Sequence, residues 1–164
     1  MMNEHERDPV REFLESAKEA KLEIARHRAR VEELESRCTR VTPNMNASPG
    51  GGSSDSQQMW AMLADERMKV LAAEKAEVEK YHEVENFINR IGVPVQRAIL
   101  RMRYLRCLRW IPIQMELYKQ GHCYDERSIF RIHNQALDAA RELWEQGGGG
   151  ADEVPAESTP EVLH

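Results

Sequence analysis

The sequence has little of what marks several common classes of protein. No apolar run approaches the roughly 20 residues that cross a bilayer, and the first residues lack the cationic and apolar segments of a secretory signal. Only 6% of the 164 residues are aromatic and 31% are charged, so a large globular core is not expected. The three cysteines, Cys38, Cys107 and Cys123, are odd in number and widely spaced, which is typical of reduced intracellular thiols. We expect a cytoplasmic protein that does not enter a membrane.

Motifs that carry catalytic chemistry are absent as well. The sequence contains no glycine-rich phosphate loop, no nucleophile elbow and no paired catalytic carboxylates. Cys107, His122, Cys123 and His133 do not have the spacing of a zinc finger. His133 and Trp110 are better explained as packing residues. We therefore expect neither an enzyme nor a bound metal or cofactor.

Two long amphipathic helices are predicted for residues 9–91. In residues 9–40 the apolar positions recur at steps of three, four or seven, which is one stripe of an α-helix. That stripe consists of Phe13, Ala17, Ile24, Val31, Leu34 and Cys38. A second helix over residues 59–91 carries the stripe Trp60, Leu63, Val70, Val78, Tyr81, Val84, Ile88 and Ile91.

Between these helices, residues 42–58 contain two prolines, three consecutive glycines and several serines, which predicts a flexible linker. Each stripe is too narrow for its helix to fold alone. An antiparallel hairpin buries both stripes, and the linker is long enough for the turn. We interpret the hairpin as a structural or oligomerising element, and a homodimer through it is one expectation.

Three shorter helices are predicted for residues 92–146. Gly92 suits the end of one helix and Pro94 the first turn of the next, over residues 95–108. Pro112 suits the first turn of a second helix that ends at Gly121, and Asp125 caps a third. Residues 147–164 are predicted to form a disordered tail. The predicted fold is all-α, with a long antiparallel hairpin followed by a three-helix helix-turn-helix domain, whose last helix enters the major groove in proteins of this type.

The charge distribution supports a nucleic-acid surface in this domain. The whole chain has a formal charge of −5, but residues 92–137 contain eight arginines and lysines against three acidic residues, a local charge of 8 − 3 = +5. The eight are Arg97, Arg101, Arg103, Arg106, Arg109, Lys119, Arg127 and Arg131. A basic patch of this kind is the electrostatic footprint of a phosphate-binding module.

The last helix separates into two faces. Ile129, Ile132, Ala136, Ala140 and Leu143 fall on an inner stripe. Arg127, Arg131 and Asn134 follow one another on an outer stripe, and such side chains form paired hydrogen bonds with guanine and adenine. Ser128 is short enough to reach a phosphate or base near the helix start. The predicted contacts to double-stranded DNA are therefore Arg127, Ser128, Arg131 and Asn134, together with Arg103 and Arg109 from the basic patch. The alternative is that this face of the helix is only solvated.

The segments "RAILRMRYL", "LRWIPIQMEL" and "YDERSIFRIHNQAL" resemble a family of phage transcriptional regulators of the RinA/ArpU type. The C-terminal part of that family is similar to region four of RNA polymerase sigma factors. The resemblance covers most of residues 10–145, including a hairpin interrupted by "GGSSDS". The positions that match the family pattern are Arg103, Tyr104, Trp110, Ile113, Leu117, Arg131, Ile132, His133, Ala136 and Leu137.

Two positions depart from the family pattern. Gln114 stands where a small alanine is usual, at a close helix crossing, which predicts a wider crossing, and Pro112 replaces an acidic residue. The resemblance implies sequence-specific binding of phage DNA in a bacterial host cell and activation of late genes, with RNA polymerase as a further partner. Two alternatives remain open: the DNA-recognition small subunit of a packaging terminase, and a coiled-coil interaction protein that does not bind DNA.

Overall fold

The computed structural model describes residues 8–40 and 53–148, and in this part of the chain every regular element is helical. The helices are α1 (Pro9–Arg40), α2 (Ser53–Asn89), α3 (Pro94–Leu100), α4 (Trp110–Lys119) and α5 (Glu126–Leu143). A π-helical turn, Arg101–Leu105, extends α3, and another, Trp144–Gly148, follows α5. Hydropathy along the described helices stays below what a bilayer-crossing segment requires.

The predicted hairpin is confirmed: α1 and α2 pack against each other in antiparallel orientation along most of their length. Ion pairs cross the seam, where Arg28 contacts Glu74 at 2.6 Å and Arg67 contacts Glu35 at 2.7 Å. One polar contact inside the seam was not predicted: the buried carboxylate of Glu66 lies 2.6 Å from Nδ1 of His27. The hydrogen bond satisfies a group that would otherwise be expensive to bury.

The boundaries of α2 correct two sequence expectations. The helix begins at Ser53, so residues 53–58 belong to α2 and not to the linker. The rest of the predicted linker and the tail from residue 149 lie outside the described residues. Trp60 and Val78, predicted to lie in the buried stripe, are 52% exposed. Leu63, Val84, Ile88 and Ile91 of the same predicted stripe are buried as expected. Trp60 and Val78 lie on an adjacent face because each residue along a helix is a rotation of 100°, and Met59 packs at the seam in place of Trp60.

Pro94, Pro112 and Gly121 lie at helix ends as predicted, but the helix predicted over residues 95–108 ends at Leu105. Pro94 occupies the first turn of α3, and Pro112 the first turn of α4, where the missing N–H would have no intrahelical partner. Gly121 follows the end of α4 with φ of +87°, in the left-handed region that a side chain would strain. Gly121 thus separates α4 from α5, whereas α3 and α4 are separated by residues 106–109, where Cys107 has a φ of +56°.

The main core joins the base of the hairpin to the second half of α5. Val10, Leu14 and Ala17 of α1 share one buried cluster with residues of the other elements. The remaining buried members are Val84, Phe87, Ile88, Ile91, Leu100, Tyr104, Leu105, Ala136, Leu137 and Ala140. Trp144 closes the cluster, with its ring 5.2 Å from that of Phe13 and 5.8 Å from that of Phe87. The hairpin and α5 are therefore held to each other by a common apolar interior.

An ion pair closes the same junction at the surface. Asp8 accepts hydrogen bonds from Nε and Nη2 of Arg141, at 3.1 and 2.6 Å, and from the backbone amide of Val10 at the start of α1. Partial burial raises the pKa of Asp8, but the hydrogen bonds and charge of Arg141 outweigh it, so the pKa is lowered overall. One carboxylate thus caps α1 and fastens it to α5.

We predict that Asp8→Ala lowers the free energy of unfolding by about 1–2 kcal/mol at pH 7, because the cap and the ion pair are both lost. Asp8→Asn retains a capping oxygen and should lose only about 0.5 kcal/mol. Because folding lowers the pKa of Asp8, its contribution is present above the ordinary value of 3.8 and is lost as the pH falls below it. Urea unfolding of the three proteins checks this; a constant difference between wild type and Asp8→Ala down to the acid limit would contradict it.

Candidate nucleic-acid interface

The connection between α4 and α5 is a short turn that fixes the start of α5. The amide of His122 donates to the carbonyl of Leu117 at 2.9 Å, which closes the end of α4. Oδ1 of Asp125 then accepts the amide of Ser128 at 2.8 Å, so Asp125 is the N-cap that the sequence predicted. The hydrogen bonds from Ser128 hold the pKa of the Asp125 carboxyl below its usual range. The cap therefore stays ionised at the positive end of the helix.

A second, smaller core holds α3, α4 and the first half of α5 together. Its buried members are Ile99, Met102, Ile113, Leu117, Ile129 and Ile132. The inner stripe predicted for α5 is confirmed, since Ile129, Ile132, Ala136 and Ala140 are buried and Leu143 is half-buried. The opposite face of the first two turns of α5 is left on the surface.

Gln114 lies on α4 at the crossing with α5. Its side chain is half-buried, and Nε2 donates to the carbonyl of Tyr124 at 3.0 Å, just before the cap of α5. This hydrogen bond ties α4 to the turn that precedes α5.

The predicted contact residues on α5 occupy the surface. Arg127, Arg131 and Asn134 are exposed, and Ser128 is half-buried with its amide committed to the cap. Within the described residues, neither the Arg127 nor the Arg131 side chain makes a hydrogen bond or an ion pair, and the charge of Arg127 helps to lower the pKa of the nearby Asp125 carboxyl. Both guanidinium groups are therefore available to a ligand without breaking an internal hydrogen bond.

Most of the other cations are committed to the fold. Arg97 donates to the carbonyls of Ile91 and Gly92, and Arg101 donates to Oδ1 of Asn89, so both fasten α3 to the end of α2. Arg106 and Lys119 both face Glu116, at 3.9 and 3.1 Å. The local charge of +5 therefore overstates the number of cations that are free to bind.

Arg103 also has a structural position. Its guanidinium donates to the carbonyl of Leu108 at 3.0 Å and lies 4.6 Å from the centre of the Trp110 ring, in a cation–π contact. A ligand contact by Arg103 would compete with these interactions. Of the six predicted DNA-binding residues, it is the one most deeply engaged within the protein.

Arg109 is exposed at the N-cap position of α4, and its side chain makes no hydrogen bond or ion pair in the described structure. Its neighbour Trp110 packs on Phe130 with ring centres 4.6 Å apart, and Phe130 precedes Arg131. This aromatic contact brings the start of α4 beside the second turn of α5. Sequence periodicity did not single out Phe130, because it belongs to neither stripe of α5.

His133 is buried beneath this surface. Its ring stacks on Tyr104, meets Trp110 edge-on, and its Nε2 lies 3.2 Å from the Tyr104 hydroxyl, so the predicted packing role is confirmed. Burial lowers the pKa of His133 to about 4, and the nearby charges of Arg11 and Arg103 act in the same direction, against a hydrogen bond with Asn134. The imidazole is therefore neutral at pH 7.

We predict that this histidine makes the fold sensitive to mild acid. Because folding lowers its pKa from 6.5 to about 4, its contribution is complete above pH 6.5 and is lost as the pH falls toward 4. The free energy of unfolding should fall in this window by up to about 1.4 kcal/mol per pH unit. His133→Phe keeps an aromatic ring and removes the titration, so its stability should change less over the same range. If the free energy of unfolding depends on pH with the same slope in the wild type and in His133→Phe, the assignment to His133 is refuted.

Within the described residues, no group of three or more His, Cys, Asp or Glu side chains is arranged to hold a metal ion. Comparison of the chain with protein families, with curated proteins and with solved structures returned no match. The resemblance to the phage regulators therefore stays a hypothesis that rests on the sequence segments quoted above.

Proposed function

We propose that the chain is a sequence-specific, double-stranded-DNA-binding regulator of transcription that inserts the first two turns of α5 into the major groove. The observation that carries the proposal is the pair of exposed, uncommitted arginines, Arg127 and Arg131, on a capped helix held by two cores. Arginine at such a position binds guanine O6 and N7 through two parallel hydrogen bonds. The proposed phage origin and the activation of late genes rest on the family resemblance alone.

The contacts are proposed to divide into two kinds. Arg127 and Arg131 read bases, with Asn134 one turn further along, while Ser128 lies near the helix start, where phosphates are bound. Arg109, at the start of the neighbouring helix, has the position of a phosphate contact. Arg103 supports the surface through Trp110 and is proposed to act on DNA only indirectly.

We predict that Arg127→Ala/Arg131→Ala abolishes sequence preference while helicity stays unchanged. Each bidentate contact should be worth about 1–3 kcal/mol of discrimination between bases. Duplexes are first selected from a random library with the wild-type protein, and titrations then compare the selected and scrambled duplexes. The control, Arg26→Ala/Arg37→Ala, removes the same charge from exposed positions of the hairpin. Equal discrimination by wild type and the α5 double variant would exclude base reading by these arginines.

Arg109 gives a prediction of a different kind. Arg109→Ala should weaken binding to every duplex by a similar factor and reduce the slope of log K against log salt by about 0.9, the amount for one phosphate contact. Arg37→Ala should leave the slope unchanged. A loss of preference for the selected sequence in Arg109→Ala would instead place this residue among the base contacts.

A second candidate function has one observation in its favour. Ile111, Met115 and Tyr118 lie at steps of four and three on α4, and all three are exposed. Met115 and Tyr118 line an open groove of about 580 Å³ together with Cys123 and Tyr124. A patch of this kind is typical of protein-interaction modules. Failure of the wild-type protein to bind any duplex at low salt would favour this function over DNA binding.

A further inference from the structure

The outer surface of α2 carries an apolar stripe that nothing in the described structure covers. We define the α2 stripe as Trp60, Met68, Leu71 and Val78, each more than half exposed. Trp60, Leu71 and Val78 directly follow Met59, Val70 and Glu77, which are half-buried along the seam. They therefore lie about 100° round the helix from the contact with α1. From Trp60 to Val78 the stripe extends about 27 Å at 1.5 Å per residue.

We infer that the α2 stripe joins two copies of this chain in an antiparallel dimer. We place the two-fold axis between residues 69 and 70. Each residue of one copy then lies opposite the residue of the other copy for which the two residue numbers add up to 139. Met68 then meets Leu71 of the other copy (68 + 71 = 139), and Trp60 lies one residue from register with Val78 (60 + 78 = 138). A large ring thus faces a small side chain at both ends. A contact surface that is related to its partner by a two-fold axis must be complementary to itself, and the α2 stripe meets this condition.

The charges beside the stripe agree with the same register. On the side toward α1, Arg67 of one copy comes within two positions of register with Glu74 of the other (67 + 74 = 141). Each already has a partner of opposite charge on α1, so the dimer joins two ion pairs into a network. On the other side, Lys75 comes opposite Ala64 (75 + 64 = 139). A parallel dimer would instead set Arg67, Glu74 and Lys75 against their own copies, which is destabilising.

The size of the stripe sets the expected strength. Stable protein interfaces bury roughly 1,200–2,000 Å² in total, and a contact between two helices over only about 27 Å is short for a stable assembly. We therefore expect a dimer that dissociates in the micromolar range. The inference does not rest on the proposed DNA binding, and either can fail without the other.

The first test is the mass of the full chain in solution as a function of concentration, measured by sedimentation equilibrium. The wild-type protein should pass from monomer to dimer, and Leu71→Glu should raise the dissociation constant at least tenfold with no loss of helicity. Leu22→Glu is the matched control, since Leu22 is also an exposed leucine of the hairpin, 47% against 60% for Leu71, but lies on the face of α1 away from α2. A wild-type monomer at about 100 micromolar, an assembly larger than a dimer, or equal weakening by both variants would overturn the inference.

The second test measures the register by cross-linking. Two proteins are made in a Cys123→Ser background, one with Ala64→Cys and the other with Lys75→Cys. Each protein is oxidised by itself, and a mixture of the two is oxidised in parallel. The antiparallel dimer should form an intermolecular disulfide only in the mixture. In a dimer of two identical variants, the two introduced thiols lie about 16 Å apart along the helices, which is too far for a disulfide. Efficient homodimeric cross-links without the mixed product would show a parallel arrangement and refute the proposed register.

Discussion

The packing of the second half of α5 against the base of the hairpin is the constraint on which the other features depend. Ala136 and Ala140 are small side chains buried in one cluster with Leu14 and Ile88, and Trp144 packs on Phe13 and Phe87. The first half of the helix is held as well, because Ile129 and Ile132 are buried in the smaller core with α3 and α4. The surface formed by Arg127 and Arg131 therefore takes its orientation from both cores.

The arginines show why composition alone is a poor guide to a binding surface. Five of the eight cations counted between residues 92 and 137 donate to carbonyls or amides or face a carboxylate. A guanidinium can bind carbonyls where a helix ends, and Arg97 and Arg103 both do so near breaks in the chain. Three arginines remain for a ligand, and they lie at the start of α4 and in the first two turns of α5.

Local sequence signals predicted the features that local chemistry decides. Pro94, Pro112, Gly121 and Asp125 each act through backbone geometry or a single hydrogen bond, and the helices begin and end at them as expected. The start of α2 was missed because Ser53, Ser54, Asp55 and Ser56 are residue types that also favour turns, and they follow a glycine-rich run. Trp60 and Val78 were misplaced because heptad spacing fits two adjacent faces of a helix equally well. The π-helical turn had no signal in the sequence, yet it sends Met102 into one core and Tyr104 and Leu105 into the other.

Under the proposed function, the uneven distribution of charge along the chain orients the protein on DNA. Residues 92–137 carry +5, so the remainder of the chain carries −5 − 5 = −10. Of this −10, residues 1–91 carry 14 − 18 = −4 and residues 138–164 carry 1 − 7 = −6. A duplex repels both parts and attracts the three uncommitted arginines, and this difference orients the molecule as it approaches. Screening over about 8 Å at physiological salt confines the attraction to the end that carries α5. The long hairpin is then directed away from the phosphates, which leaves the outer face of α2 accessible while α5 is engaged.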